Sequence, residues 1–124
     1  MADLQSSDIP ALDTETARAL RAFMRRLEGR YAVREGILFG SRARLSHGPD
    51  SDADLAVVLE GISGNRRAAA QDMAGIAFDV MLETGILVDA LPVWEHELDG
   101  PDSSGNPALI RSIRRDGVRF PAAS

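Results

Sequence analysis

The chain has 124 residues, of which 44% are hydrophobic and 27% are charged, and its formal net charge is −5. This composition is typical of one folded globular domain and argues against disordered, collagen-like and membrane-embedded proteins. The negative charge argues against a protein that coats nucleic acid by neutralising phosphates. Because the chain has no cysteine, a metal site would use carboxylates or the two histidines, and oxygen ligands favour a hard cation.

The first ten residues, MADLQSSDIP, have neither a basic start nor an apolar signal core, and no apolar run is long enough to span a membrane. We therefore expect a cytoplasmic protein. Residues 1–12 are polar and are interpreted as a flexible lead-in. Residues 13–120 are interpreted as a single domain.

Two long helices are predicted from apolar residues that recur at three- and four-residue steps. The first begins at Asp13 or Thr14 and keeps this spacing as far as Tyr31. The second follows Asn65, a good N-cap, and stops at Gly85. Arginines occupy the polar face of the first helix: Arg18, Arg21 and Arg25. They are interpreted as solvated or as a contact for an acidic partner.

Three buried strands are predicted, over residues 36–40, 54–61 and 86–93, with Pro92 and Trp94 marking the end of the third. The first two strands are joined by a loop and are expected to be antiparallel neighbours. The second and third are joined through a helix, which predicts a parallel crossover and places them side by side. The sequence therefore predicts a mixed sheet.

The C-terminal part of the chain is expected to hold one short helix. Residues 96–105 are rich in turn formers and are interpreted as an irregular connection. Asn106 and Pro107 then provide an N-cap and a first-turn proline, and Gly117 a stop. Residues 118–120 are predicted to add a small edge strand.

Two aspartates stand one residue apart at the start of the second predicted strand, in SDADL. Residues two apart on a strand project from the same face, so Asp52 and Asp54 direct their carboxylates to one point. Two converging carboxylates repel each other unless a cation lies between them, and Mg²⁺ prefers such ligands together with phosphate oxygens. The pair therefore predicts a metal and a phosphate.

The segment before this pair has the features of a phosphate-binding turn. Gly40 permits a sharp turn and a close approach of a ligand to the backbone, and Ser41 offers a hydroxyl at the start of a helical turn. Arg42 or Arg44 can then donate a pair of hydrogen bonds to phosphate oxygens. We predict that these four residues form a phosphate cradle beside the metal pair.

A third carboxylate, Asp89, lies in the apolar third strand, where an unpaired charge would be costly. If this strand is next to the second one, Asp89 reaches Asp52 and Asp54. Three carboxylates on two strands are enough to hold two metal ions for displacement at phosphorus. In the alternative interpretation, GPDSDAD is only a polar turn with local caps, which leaves Asp89 and the Gly-Ser turn unexplained.

These residues resemble the DNA polymerase beta nucleotidyltransferase superfamily: Gly40-Ser41, ten residues, then Asp52-Ala53-Asp54 and a later strand aspartate. The similarity is greatest to its smallest members, the minimal nucleotidyltransferase (MNT) domains, whose most specific signature here is GSRAR followed by a proline and SDADL. The resemblance extends to the closing NPALIRSIRRDG. It implies an α/β (α+β) fold of the polymerase-beta nucleotidyltransferase type, a small mixed β-sheet with helices packed on it.

The resemblance also implies a reaction and its residues. A nucleoside monophosphate, AMP from ATP, would move to a hydroxyl and pyrophosphate would leave. Gly40 and Ser41 would hold the triphosphate with help from Arg42. Asp52 and Asp54 would bind two Mg²⁺ ions, and Asp89 would bind the catalytic ion and activate the hydroxyl.

The sequence departs from the family pattern at two positions. Leu45 stands where many of these domains have glycine, and Ala53 replaces a larger apolar residue between the two aspartates. Neither position has a ligand role. The leucine is expected to reshape the loop over the triphosphate.

The resemblance implies a partner as well. Larger members carry a helical acceptor-binding domain for which this chain has no room, so the acceptor is expected on another protein. MNT domains are commonly encoded beside an all-helical HEPN toxin, and the expected role is the antitoxin of a type VII-like HEPN/MNT pair that adenylylates a tyrosine of that toxin. Two alternatives stay open: an inactive antitoxin that neutralises by contact, and AMP transfer to a small molecule such as an antibiotic or to an RNA end.

Overall fold

The computed structural model of the chain describes residues 12–61 and 64–123. The predicted lead-in lies almost wholly outside these residues. In chain order the elements are α1 (Thr14–Leu27), β1 (Val33–Phe39), β2 (Ala53–Leu59), α2 (Arg66–Thr84), β3 (Val88–Trp94), α3 (Glu95–Asp99), a 3₁₀ turn (Pro101–Ser103), α4 (Pro107–Asp116) and β4 (Val118–Pro121).

The strands form one mixed four-stranded sheet in the order β3-β2-β1-β4. Strand β1 pairs antiparallel with β2 and β4, whereas β2 pairs parallel with β3. Both predicted pairings are confirmed, and so is the small edge strand. The crossover through α2 makes the parallel pair possible, because a parallel neighbour cannot be reached by a tight turn.

The two faces of the sheet are covered by different helices. Alternate residues of β2, among them Leu55 and Val57, pack with the buried faces of α1 and α2. The intervening Ala56 and Val58 face the other side, where Leu98 of α3 and Ile110 and Ile113 of α4 cover them. Asp54 shares the second face by strand alternation, so it lies away from the two long helices.

The helix caps that were predicted for α2 and α4 are confirmed. The side chain of Asn65 accepts a hydrogen bond from the Ala68 N–H at 3.0 Å, and Gly85 ends α2 with a φ of +83°. Asn106 caps α4 in the same way by accepting from the Leu109 N–H at 3.3 Å. A side-chain acceptor satisfies an N–H group that has no partner within the helix.

Helix α1 ends earlier than predicted. It begins after the N-cap Asp13 but stops at Leu27, and Tyr31 lies outside it. Gly29 has a φ of +84°, which breaks the helical path, and the N–H groups of Arg30 and Tyr31 donate back to the Leu27 carbonyl. Tyr31 therefore keeps its place against the core from a loop rather than from a helical turn.

Some boundaries also differ along the strands. Strand β1 begins at Val33, earlier than predicted, and β3 is Val88–Trp94, so it begins and ends slightly later than the predicted residues 86–93. Proline is tolerated because β3 is an edge strand, and the Pro92 carbonyl accepts from Arg66 Nη1 at 2.9 Å. The connection predicted as irregular, residues 96–105, contains most of α3 and the 3₁₀ turn. Among the described residues, no helix is long and apolar enough to cross a bilayer.

Candidate active site

The candidate site is built on the hairpin of β1 and β2 and on the start of β3. Phe39, the last residue of β1, is paired with Asp54 on β2. Asp54 is in turn paired with Asp89 on the parallel strand β3. Asp52 precedes β2 by one residue and is exposed, as is Asp89. The sheet therefore brings the three predicted carboxylates to one end of two neighbouring strands.

The electrostatics of Asp54 reflect this crowding. Burial raises the pKa of Asp54 above its usual value, and the negative charges of Asp89 and then Asp52 raise it further. The positive charge of Arg44 acts in the opposite direction. Like charges at one place destabilise the ionised forms, and a cation relieves that cost. The donor set therefore fits a divalent cation that prefers oxygen ligands.

The three carboxylates do not form a ready-made cage. In residues 12–61 and 64–123, no group of three His, Asp or Glu side chains is arranged so that it could hold one ion. The sheet register nonetheless places the carboxylates at the same end of β2 and β3, with Asp54 paired to Asp89.

The Gly-Ser turn lies directly against Asp54. Gly40 follows β1 with a φ of +77°, and a Cβ added there would overlap the Asp54 carboxylate. Only glycine both adopts this positive φ without strain and leaves space for the Asp54 carboxylate. The N–H of Arg44 donates to the Gly40 carbonyl at 3.3 Å, so the predicted single helical turn is present. The Ser41 hydroxyl is partly exposed and has no protein hydrogen bond within the described chain.

Arg42 does not extend toward the carboxylates. Its side chain is buried, and its guanidinium donates to the Ser51 carbonyl at 2.9 Å, to Thr16 Oγ1 at 2.8 Å and to the Pro49 carbonyl at 3.4 Å. These partners tie the loop to α1 and to the residue before Asp52. Arg42 therefore makes a structural contact, and its role as a nucleotide ligand stays a prediction.

Arg44 and Leu45 are exposed at the end of the same turn. Arg44 is near enough to Asp54 for its charge to lower the pKa of that group. Leu45 has a φ of +58°, a left-handed conformation that L-residues other than glycine, asparagine and aspartate rarely adopt. This explains physically why glycine suits the position.

Two partners of the site loop, Thr16 and His47, were not predicted from the sequence. Thr16 is fully buried in the first turn of α1, and its hydroxyl accepts from Arg42. His47 lies with Nε2 2.6 Å from Asp13 Oδ2, so the loop is also joined to the N-cap of α1. Both contacts join residues that are far apart in the chain, so no local sequence pattern predicts them.

A glycine turn beside carboxylates on neighbouring strands is the type of site that metal-dependent phosphoryl transfer uses. The comparison with protein families agrees with this class: the model of the nucleotidyltransferase domain matches residues 17–116. This range covers most of the chain and includes Gly40, Asp52, Asp54 and Asp89. The chain therefore belongs to the nucleotidyltransferase domain family.

A solved structure shows the same fold. A protein of Sulfolobus solfataricus, itself assigned only provisionally as a nucleotidyltransferase, superposes with a TM-score of 0.54 at 22% sequence identity. The match covers 97% of this chain and 90% of the other. At this identity the similarity establishes the fold and not the substrate. Comparison with curated proteins gives no match.

Proposed function

We propose that the chain transfers AMP from ATP to a hydroxyl of a partner protein, with Mg²⁺ as the metal. The observation that carries this proposal is the register of the sheet, which pairs Asp54 with Asp89 directly beside the Gly40 turn. A triphosphate on the turn would have its α-phosphorus next to carboxylates on two strands. Nucleotidyl transfer in general follows from the family.

The reaction can be written with each atom accounted for. The acceptor oxygen attacks the α-phosphorus of ATP and forms a new P–O bond, and the bond between the α-phosphorus and the bridging oxygen to the β-phosphorus breaks. Pyrophosphate leaves with the electrons of that bond. Asp89 accepts the proton of the attacking hydroxyl and, because it is exposed, can release that proton to solvent. Ser41 and the backbone of the turn hold the phosphates, and Arg44 neutralises part of their charge.

Asp52, Asp54 and Asp89 would hold the magnesium ions. Their chemistry fits, because a divalent cation offsets the mutual repulsion that raises the pKa of Asp54. The ions supply charge stabilisation for the attacking and leaving oxygens. The protein contributes the fixed register that keeps the carboxylates together.

The acceptor is proposed to be a tyrosine of a helical HEPN toxin, which makes the chain the antitoxin of the pair. Support comes from the signature GSRAR and SDADL, which resembles that of MNT domains. The exposure of Asp89 at an edge strand is consistent with a macromolecular acceptor, since a large partner can approach it.

The test is covalent transfer. The chain is incubated with ATP, Mg²⁺ and the helical protein encoded beside its gene, and intact-mass spectrometry looks for an AMP adduct on that protein. We expect an adduct with the wild type and none with Asp52→Ala. Asp99→Asn removes an exposed aspartate from α3, outside the site, and serves as the matched control.

Two outcomes would overturn the proposal. If the wild type forms no adduct but still neutralises its neighbour, contact alone is the function. If Asp52→Ala forms as much adduct as the wild type, the carboxylates are not the catalytic groups. The shift in melting temperature on adding ATP and Mn²⁺ measures nucleotide binding without an acceptor. It therefore distinguishes a chain that cannot bind ATP from one that was given an unsuitable acceptor.

A further inference from the structure

The backbone of β3 has one side without a strand neighbour, because β3 is the last strand of the sheet. The Ala53 N–H donates to the Leu87 carbonyl at 2.9 Å, and backbone groups alternate in direction along a strand. In this parallel register the odd-numbered residues of β3 bond to β2. The even-numbered residues therefore direct their N–H and carbonyl groups to the outer edge.

The C-terminal half of this edge is closed by bonds within the chain. Pro92 has no N–H to offer, and its carbonyl accepts from Arg66 Nη1 at 2.9 Å. The Trp94 N–H donates to Glu97 Oε1 at 3.1 Å. Pro92 and Trp94 are also buried. Proline and capped backbone groups are features by which proteins prevent the addition of another strand to an edge.

The N-terminal half of the same edge is open at Ala90. Within residues 12–61 and 64–123, no group is bonded to the N–H or the carbonyl of Ala90. Ala90 is only half-buried, and its neighbour Asp89 is exposed. A free N–H and a free carbonyl on a strand are complementary to the backbone of another extended chain. A helix bonds these groups internally, so the open edge favours an extended partner segment.

An apolar groove continues from the candidate active site along this strand. Leu91 and Val93 lie on the same face of β3 as Asp89, because residues two apart share a face. They form one wall of a groove whose other wall includes Leu109 and Ile110 of α4. The groove begins one two-residue step, about 7 Å, from Asp89. A side chain of a bound strand can therefore enter it while a neighbouring side chain lies at Asp89.

We propose that the acceptor segment of the partner protein binds as an added strand on the open edge of β3, through hydrogen bonds to the backbone of Ala90. This inference rests on the proposed transfer reaction and specifies the form of its acceptor. In an added strand, the residue beside Asp89 directs its side chain to the face that carries the Asp89 carboxylate, and the residue two positions away faces the groove. The acceptor is therefore an extended segment with a hydroxyl-bearing residue and an apolar residue two positions apart.

The test is amide hydrogen exchange, followed by NMR on the whole isotope-labelled chain with and without the helical protein encoded beside its gene. In the free chain, the Ala90 amide should exchange fast, whereas the Leu91 amide is protected by its bond to β2. The partner should slow exchange at Ala90 at least about tenfold. Amides of β4, the other edge strand, should not change and serve as the internal control.

Replacement of Ala90 by proline removes the N–H that the added strand would use. An edge strand tolerates proline where the N–H faces outward, as β3 does at Pro92. Ala90→Pro should weaken binding of the partner at least about tenfold in isothermal titration calorimetry. Ala90→Ser keeps the N–H and is the matched control. Exchange in the wild type decides the question even if the proline variant does not fold.

The outcomes separate this inference from the proposed function. An AMP adduct that forms while Ala90 exchange stays fast would overturn the docking edge and leave the transfer reaction intact. Protection of Ala90 without an adduct would support the docking edge and overturn the reaction. Equal affinities of Ala90→Pro and Ala90→Ser would also overturn the inference. So would protection of Ala90 that grows with the concentration of the chain alone, because a second copy would then occupy the edge.

Discussion

Arg42 and Thr16 are joined by a buried hydrogen bond of 2.8 Å, although they are 26 positions apart in the chain. Through it, the loop that separates the Gly-Ser turn from the carboxylates is fixed to the first turn of α1. The same guanidinium holds the Ser51 carbonyl, next to Asp52. The distance between the two halves of the candidate site therefore depends on packing against a helix.

Replacement of Arg42 by alanine should strongly destabilise the fold. It leaves the buried Thr16 hydroxyl and the partly buried carbonyls of Ser51 and Pro49 without their donor, which we expect to cost about 2–4 kcal/mol of the free energy of unfolding. Urea unfolding measures the loss. An unchanged midpoint would show that the contact is dispensable.

Replacement of Arg44 by alanine should leave the stability of the fold unchanged and weaken the binding of ATP. The Arg44 side chain is exposed and makes no hydrogen bond or ion pair with any other described residue, so the free energy of unfolding should change by less than about 0.5 kcal/mol. Binding of ATP with Mg²⁺ should weaken about tenfold, because a charge-assisted contact to phosphate is lost. Isothermal titration calorimetry measures it, with Arg114→Ala, an exposed arginine of α4, as the control. Equal affinities in the two variants would contradict a phosphate role.

Replacement of Asp54 by asparagine should stabilise the metal-free protein at neutral pH. The pKa of Asp54 is raised in the folded state by burial and by Asp89 and Asp52, so the folded chain binds this proton more tightly than the unfolded chain. Stability contributed by this group therefore falls as pH rises above about 4. The melting temperature in a chelator should be a few degrees higher for Asp54→Asn at neutral pH, and this gain should shrink in acid.

The same variant should lose its response to metal. Mg²⁺ or Mn²⁺ stabilises only the state that binds it, by about 2.7 kcal/mol at a hundredfold excess over Kd. The melting temperature of the wild type should therefore rise with added ion, and that of Asp54→Asn should rise much less. A rise of equal size in both would place the ion elsewhere.

Replacement of Leu45 by glycine should be neutral or stabilising. The φ of +58° costs an ordinary L-residue about 1–2 kcal/mol, and glycine removes that cost while adding freedom to the unfolded chain. We expect a net gain of up to about 1 kcal/mol, since the leucine side chain is exposed and loses little packing. Thermal unfolding measures it. A clear loss would mean that the leucine makes a contact that matters.

Replacement of Asp13 by alanine should remove a pH-dependent cap. Burial alone would raise the pKa of Asp13, but hydrogen bonds from Thr16 and the interaction with His47 outweigh it and lower the pKa overall. Because the folded pKa is lowered, the stabilisation is present above the unfolded pKa and is lost as pH falls below about 4. Asp13→Ala should cost about 1 kcal/mol at neutral pH and less in acid, measured by thermal unfolding at both.

The sequence predicted the parts of the fold that local chemistry decides. Asn65 and Gly85 bound α2 because a side-chain acceptor and a left-handed glycine act within one turn. The parallel pairing of β2 with β3 follows from the crossover between them. That pairing also gave the placement of Asp89 beside Asp54, so the carboxylate part of the site was accessible from the sequence.

The remaining features depend on contacts that are distant in the chain. Arg42 follows the Gly-Ser turn and carries a guanidinium, which suggested a phosphate ligand. In the structure its guanidinium instead donates a hydrogen bond to Thr16, a contact that depends on the packing of α1. Likewise α3 is only five residues long, and it is stabilised by the buried Glu97, which is bonded to the Trp94 N–H and to Arg66. Such short elements carry no periodic signal.

The hairpin origin of the site has a consequence for the order in which the chain folds. Gly40 and Ser41 directly follow β1, and Asp52 and Asp54 lie at the start of β2, which is its antiparallel neighbour and is near it in sequence, whereas Asp89 joins them only after the α2 crossover. Local pairings form before distant ones because closing a longer loop costs more entropy. We expect the phosphate-binding turn and the first two carboxylates to be assembled early, and the third carboxylate to arrive with the last strand of the parallel pair.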